Sequence, residues 1–208
     1  MSGLQVARKI DKAMTKVGAK IGFNCVVYRP DGYANPLQDK NIVSSQVKVA
    51  YSVDDAFVKN PVDELSHYKI YVSAAQAQVG DILLFDDGKT IVMTEMEPIR
   101  TPTGILANDR ISVSRSQATP LSDTKITLTE LCSNVPCAIK IKSASTFSQP
   151  NVALSTGTTN LEIWTWMPAN EIVLGDTLDW NSKRFIVNSV DATSKGTKLT
   201  ATSTTKGR

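Results

Sequence analysis

The chain reads as a mainly β protein: an N-terminal amphipathic helix followed by two small β-barrel or sandwich-like units, each built around a Gly-Asp hairpin. Three observations predict this. First, Val79–Met93 aligns without a gap against Leu174–Asn188, about 95 residues later, and both copies read Gly-Asp turn, short strand, polar turn, second strand. Second, helical spacing of apolar residues is convincing only between Leu4 and Ile21. Third, the remaining apolar residues fall in short alternating runs, punctuated by Gly, Pro and Asn. The 208 residues suffice for one large all-β domain or two small ones. A chain of this mass buries about 70% of its extended surface, so a substantial core is available.

The helix is justified by Val6, Ala7, Ile10, Ala13, Met14, Val17 and Ile21 on one stripe, with Lys9, Lys12, Lys16 and Lys20 mostly opposite. Ser2 is available as its N-cap, and Gly18 or Gly22 can end it. It lacks the aromatic anchors of a membrane-surface helix, so packing against its own domain or a neighbouring subunit is expected. Cys25–Tyr28 is a β-prone run closed by the turn Arg29-Pro30-Asp31-Gly32. Val47, Val49, Tyr51 and Val53 share one face of the next strand, and Tyr68–Ser73 alternates again. Asp86-Asp87-Gly88-Lys89 is a tight hairpin turn. Ile105–Val113 reads as a strand bent at Asn108-Asp109-Arg110, and 115–124 reads as a loop. Strands follow over 125–131 and 136–141, and again over 161–167, where Trp164 and Trp166 share a face expected to be core. The organisation predicted is helix 1–22, first β-unit 23–118, and second β-unit 119–208 with a Ser/Thr-rich loop at 143–160. In the repeat, Gly80 and Gly175 are expected at equivalent places, with Leu83/Leu178 and Ile91/Ile186 equivalently buried.

Net charge is +3, but its distribution is uneven. Residues 1–48 carry eight Lys or Arg against three Asp, and 181–208 carry six against one, while the 132 residues between hold nine basic and sixteen acidic side chains. Basic ends on an acidic body can steer subunits together or onto an acidic partner, or simply keep the ends solvated. No apolar run approaches the roughly 20 residues of a membrane-spanning helix. The N-terminus lacks the layout of a signal peptide, so export by the usual route is not expected. Cys25, Cys132 and Cys137 are expected as small buried thiols, with a Cys132–Cys137 disulfide as the alternative.

Catalytic grammar is missing. His67 is the single histidine and stands without a nucleophile motif. The acid pairs Asp54-Asp55, Asp63-Glu64 and Asp86-Asp87 are adjacent residues, which point apart on a strand, so they suit turns better than a two-carboxylate site. Asp81 and Asp176 recur because an Asp side chain can close its own turn. No catalytic, cofactor-binding or metal-ligating residue is therefore assigned, and no enzymatic activity or cofactor is expected. A second function class, a single-stranded nucleic-acid-binding barrel, would use Trp164, Trp166 and Trp180 with Lys183 and Arg184, against the net acidic centre of the chain.

Several short motifs taken together carry a resemblance: the basic helix, Val27-Tyr28-Arg29-Pro30, Asn35-Pro36-Leu37, Gln78-Val79-Gly80-Asp81, Val113-Ser114-Arg115, Leu174-Gly175-Asp176 and Gly196–Ala201. In this order the chain resembles the neck, or head-to-tail connector (collar), structural proteins of tailed bacteriophages. The resemblance implies a non-enzymatic virion component, assembled in the host cytoplasm, that forms a homo-oligomeric ring between the DNA-filled head and the tail. It also implies neighbouring neck, portal or adaptor, or tail proteins as partners, DNA as non-specific cargo, and no membrane. Another ring-forming tail protein, a terminator or baseplate component, is the alternative within the same class.

Overall fold

The computed structural model describes residues 3–31, 34–53, 66–117, 127–143, 159–167, 170–193 and 196–203. The chain begins with helix α1 (Gly3–Ile21). Strands β1 (Phe23–Tyr28), β2 (Ile42–Val53), β3 (His67–Tyr71), β4 (Ile82–Phe85), β5 (Thr90–Glu95) and β6 (Thr103–Ala107) then close an antiparallel barrel in the order β1-β2-β3-β6-β5-β4. A second barrel follows from β7 (Asp109–Gln117), β8 (Thr127–Ser143), β9 (Thr159–Thr165), β10 (Thr177–Trp180), β11 (Lys183–Thr193) and β12 (Gly196–Ser203). Its order, β7-β8-β9-β12-β11-β10, repeats the first strand for strand. Closure pairs every strand on both sides, which removes the sheet edges that would otherwise template aggregation.

The two barrels match in register as well as in order. In β1/β2, Cys25 faces Val47, Val27 faces Ser44 and Tyr28 faces Ile42, with the ladder slipping at both steps. In β7/β8, Ile111 faces Val135, Val113 faces Cys132 and Ser114 faces Glu130, with slips at the same two steps. β5/β6 is irregular between Met93 and Glu95, and β11/β12 between Val187 and Ser189. Extra residues at matching points bend both sheets alike, which is how a six-stranded sheet is made to close. Each barrel is filled by its inward-facing residues: Val27, Val49, Ile70, Leu83 and Ile91 in the first, and Val113, Ile163, Leu178, Phe185 and Leu199 in the second.

The ungapped repeat holds as far as the hairpin tip and no further. Leu83 pairs with Ile91 and Leu178 with Phe185, both pairs fully buried, whereas Ile186 pairs with Thr177 on the outside. The expected Ile91/Ile186 equivalence is therefore wrong, and Phe185 takes the inward place. The first hairpin loop is Asp86-Asp87-Gly88, with Gly88 at φ 85°, while the second is the two-residue loop Asn181-Ser182, at φ 48° and 60°. One residue fewer shifts the return strand by one, and a one-residue shift turns every side chain to the other face.

Four further expectations are corrected. The chain changes barrels at Asn108, ten residues before the predicted boundary at 118/119, because β7 closes the second barrel. The Asn108 side chain substitutes for a ladder at the crossover, donating to the Ile139 carbonyl (3.0 Å) and accepting from its N–H (2.8 Å). Residues 115–117, expected in a loop, continue β7 opposite β8. The predicted strands at 125–131 and 136–141 are one strand, β8; Ser133-Asn134 and Pro136 mimic a turn, but Asn134 adopts φ 57° within the ladder irregularity and accepts a hydrogen bond from Arg110 (2.9 Å). Finally, Leu161 and Ile163 fill the core where the two tryptophans were expected; Trp166 is half-buried against it, and Trp164 lies outside it. The calls on Ser2, 54–64 and most of 143–160 lie outside the described residues.

Helix α1 docks on β2 and β3 through its glycine end and an aspartate. Gly18 is the one buried residue of the helix. Asp11 accepts hydrogen bonds from the Ala74 N–H (2.8 Å) and the Ser73 hydroxyl (3.2 Å). A Cβ on Gly18 would stand 2.6 Å from the Lys48 carbonyl oxygen and 3.0 Å from that of Tyr71. In a free helix Gly→Ala stabilises by about 1 kcal/mol. In this chain Gly18→Ala is expected to reverse that sign, undocking α1 and costing roughly 1–3 kcal/mol as overpacking does. Thermal unfolding checks this, and an unchanged or raised Tm would contradict it.

Candidate functional site

The repeated Gly-Asp turns are built as two copies of one ionic clasp. In the first barrel Asp81 Oδ2 accepts from the Gln78 N–H (2.8 Å), closing its own turn as the sequence predicts. Gly80, at φ 89°, donates its N–H to the Met93 carbonyl (2.9 Å), and Met93 donates to the Asp81 carbonyl (2.9 Å). In the second barrel Asp176 Oδ2 accepts from Val173 (2.9 Å), Gly175 stands at φ 88° and donates to Val187 (3.0 Å), and Val187 donates to Asp176 (2.9 Å). Sequence reasoning missed the cations. Arg29 grips Asp81 bidentately at 2.9 and 2.8 Å, and Arg115 grips Asp176 at 2.8 and 2.9 Å. The signal was present in Val27-Tyr28-Arg29 and Val113-Ser114-Arg115, each an arginine two residues beyond an inward valine.

Both carboxylates are buried to 1% exposure, while both guanidinium groups keep about 40% of their side-chain surface. The hydrogen bond to its aspartate, with the charge behind it, pushes each arginine's pKa up despite desolvation. A bidentate charge-assisted pair fixes orientation as well as adding energy. With its oxygens already bound to the arginine and a backbone N–H, each aspartate is committed to holding the turn between strands three and four of its barrel. Such a group holds its barrel closed.

The other predicted residues scatter. His67 is buried at 3% exposure on β3. Asp87 lies in the hairpin tip with Tyr51 and Lys89; desolvation opposes, but the Tyr51 and Lys89 hydrogen bonds hold its carboxyl below the usual range. Trp180 donates to Asp109 (2.6 Å) and leans on Phe185, whereas Trp164 lies beneath the Lys198 ammonium, 5.3 Å from its ring centre. Lys183 and Arg184 stand on β11, and Arg184 is paired with Asp179 (3.0 Å). The tryptophans and basic residues thus form no common stacking platform. Glu162 lies between Lys142 and Lys198; desolvation pushes its pKa up, and the two ammonium groups together bring it below the ordinary value. Among the described residues no group of three or more His, Cys, Asp or Glu could hold a metal ion, and no helix is long and apolar enough to cross a membrane.

Two surface features remain. The outer faces of the barrels meet at a seam where Val92, Thr94 and Ile105 oppose Ala138, Trp164 and Trp166. Between α1 and the first barrel runs an apolar groove of about 250 Å³, lined by Ala7, Ile10, Met14, Val72, Met96 and Pro102. No family model matches the chain, and no curated protein matches it.

Replacing Arg115 with Met should leave Asp176 buried with only the Val173 N–H, costing about 2–3 kcal/mol, and Arg29→Met should cost a similar amount. Chemical denaturation checks this, and a loss confined to one barrel would contradict the equivalence of the clasps. The three thiols are free and buried. Desolvation pushes Cys25 up to about 12, Cys132 up to about 11, and Cys137 well above its ordinary value. Raised thiols stabilise the fold fully below their ordinary 9.0 and lose that contribution as pH rises towards these values, so stability should fall above pH 9. Alkylation at pH 8 should be slow in native protein and fast in denaturant; equal rates would contradict the burial.

Proposed function

We propose that this chain is a non-enzymatic virion structural protein, a ring-forming neck component that joins the DNA-filled head of a tailed phage to its tail. The observation that supports this reading best is where the buried charges go. Asp81 and Asp176 are committed to paired turns within barrel walls, which makes two rigid modules. Two closed barrels joined side by side form a stiff wall segment. An exposed basic helix at one end supplies a contact element of different chemistry from the acidic centre of the chain.

A ring requires two complementary surfaces on each subunit that close on themselves, and basic ends on an acidic centre offer surfaces of opposite sign. The net acidic middle of the sequence suits a channel through which DNA passes without sticking. On this reading the protein acts in the virion, after assembly in the host cytoplasm, with other neck, portal or tail proteins as neighbours.

Labelled antibody against this chain, imaged on purified particles, is expected to mark the head–tail junction. Label at the tail tip would favour the baseplate alternative, and particles lacking the chain would remove the virion assignment.

A further inference from the structure

Helix α1 is fixed to the first barrel at two places: Gly18 lies against the Lys48 and Tyr71 carbonyls, and Asp11 is bonded to Ser73 and Ala74. These contacts do not close its apolar stripe. Ala7, Ile10 and Met14 are each half-buried and form one side of the apolar groove of about 250 Å³, with Val72 and Met96 on the barrel side. From Ala7 to Met14 the helix rises about 10 Å, so the groove runs along two turns. Covering such a groove removes apolar surface from water, which favours an occupant with an apolar face of its own. Methionine on both sides lets the walls adapt to the shape that enters.

The rim selects the charge of that occupant. Asp11 is the one acidic residue of α1, against Arg8, Lys9, Lys12, Lys16 and Lys20. Both of its oxygens are taken, by the Ser73 hydroxyl and the Ala74 N–H. Glu97, the other carboxylate lining the groove, is held by Arg100 (3.2 Å). Arg8 lines the groove, and Lys12, one turn on, stands exposed along the same edge. Among the described residues neither of these two cations has a carboxylate partner. The groove is therefore apolar within and positive at its edge. A nucleic-acid strand would meet the cations and leave the apolar walls in water. A basic segment would meet the walls and be repelled at the rim. An acidic segment with an apolar face satisfies both.

We propose that this groove takes a short acidic amphipathic helix of a partner protein, with apolar side chains at i, i+3, i+4 and i+7 against Ala7, Ile10 and Met14, and carboxylates on Arg8 and Lys12. Opposite charge at the rim steers the encounter, and the apolar side chains hold it. The inference goes beyond the ring reading and does not need it, because the groove and its charge belong to a single chain.

Fluorescence anisotropy with the full chain tests this. The probe is a labelled peptide of about 14 residues, long enough for an isolated helix to begin to form, with Leu at those spacings and Glu between them. It is expected to bind and to shift the methyl resonances of Met14 and Met96. Its binding to Arg8→Glu should be weaker by about tenfold or more. Lys20→Glu makes the same charge change about 18 Å further along the helix. That exceeds the ~8 Å screening length of physiological salt, so binding should stay within about twofold of wild type. Both sites are exposed, and both variants should keep the wild-type circular dichroism. Three further probes separate the occupants: the same peptide with Lys for Glu, the same peptide with Ser for Leu, and a single-stranded oligonucleotide. Any of the three binding as tightly as the acidic peptide would overturn the proposal. So would equal losses in the two variants, binding that leaves Met14 and Met96 unmoved, or no binding. Methyl shifts that follow the concentration of the chain alone would put a second copy in the groove and overturn it too. None of these results decides ring formation, which the particle labelling tests separately.

Discussion

The bidentate grip of Arg29 on Asp81, and of Arg115 on Asp176, is the constraint around which each barrel is arranged. A six-stranded barrel made of two three-stranded meanders needs one connection that carries the chain from the third strand across to the fourth, beside the first. That connection is long, and it drops Val72 and Ala77 into the first core and Met167 and Ile172 into the second. The aspartate at its end, buried to 1% exposure, is held from the first strand's side by the arginine and from its own turn by a backbone N–H. The left-handed glycine before it then feeds β4 or β10 into the ladder at one register. Register at this corner decides which side chains face inward in the rest of the barrel.

The class of fold, its order and its repeat were legible because they rest on local chemistry. Helical periodicity in Leu4–Ile21, Asp-Gly turn residues and alternating strands are all short-range signals, and the structure has each of them. What was not legible depends on distance in sequence. The arginine partners lie 52 and 61 residues from their aspartates. The boundary was placed in a polar stretch, since such stretches mark loops, but the true crossover is a single Asn whose side chain imitates a strand pair. The mispaired Ile186 came from a one-residue difference in hairpin length, invisible to an ungapped alignment. Trp164 and Trp166 share a strand face and were expected in the core for that reason; Trp166 packs against it, but both line the inter-barrel seam.

The candidate surfaces follow from the same duplication. Each clasp buries its aspartate and leaves its arginine about 40% exposed. The outer walls differ in cover: Val92 is closed over at the seam, whereas Ile186 at the matching place is 41% exposed. The charge is uneven as well, with basic ends and an acidic centre.

Residue-resolved amide exchange on the isolated chain tests the central claim, two copies of one clasped barrel with a loosely seated helix, most directly. Protection should be high and similar at matched positions, Gly80 with Gly175 and Met93 with Val187, whose N–H groups close the two turns, while α1 exchanges near the rate of a local opening. Protection of one clasp without the other, or of α1 as strongly as the strands, would contradict the account.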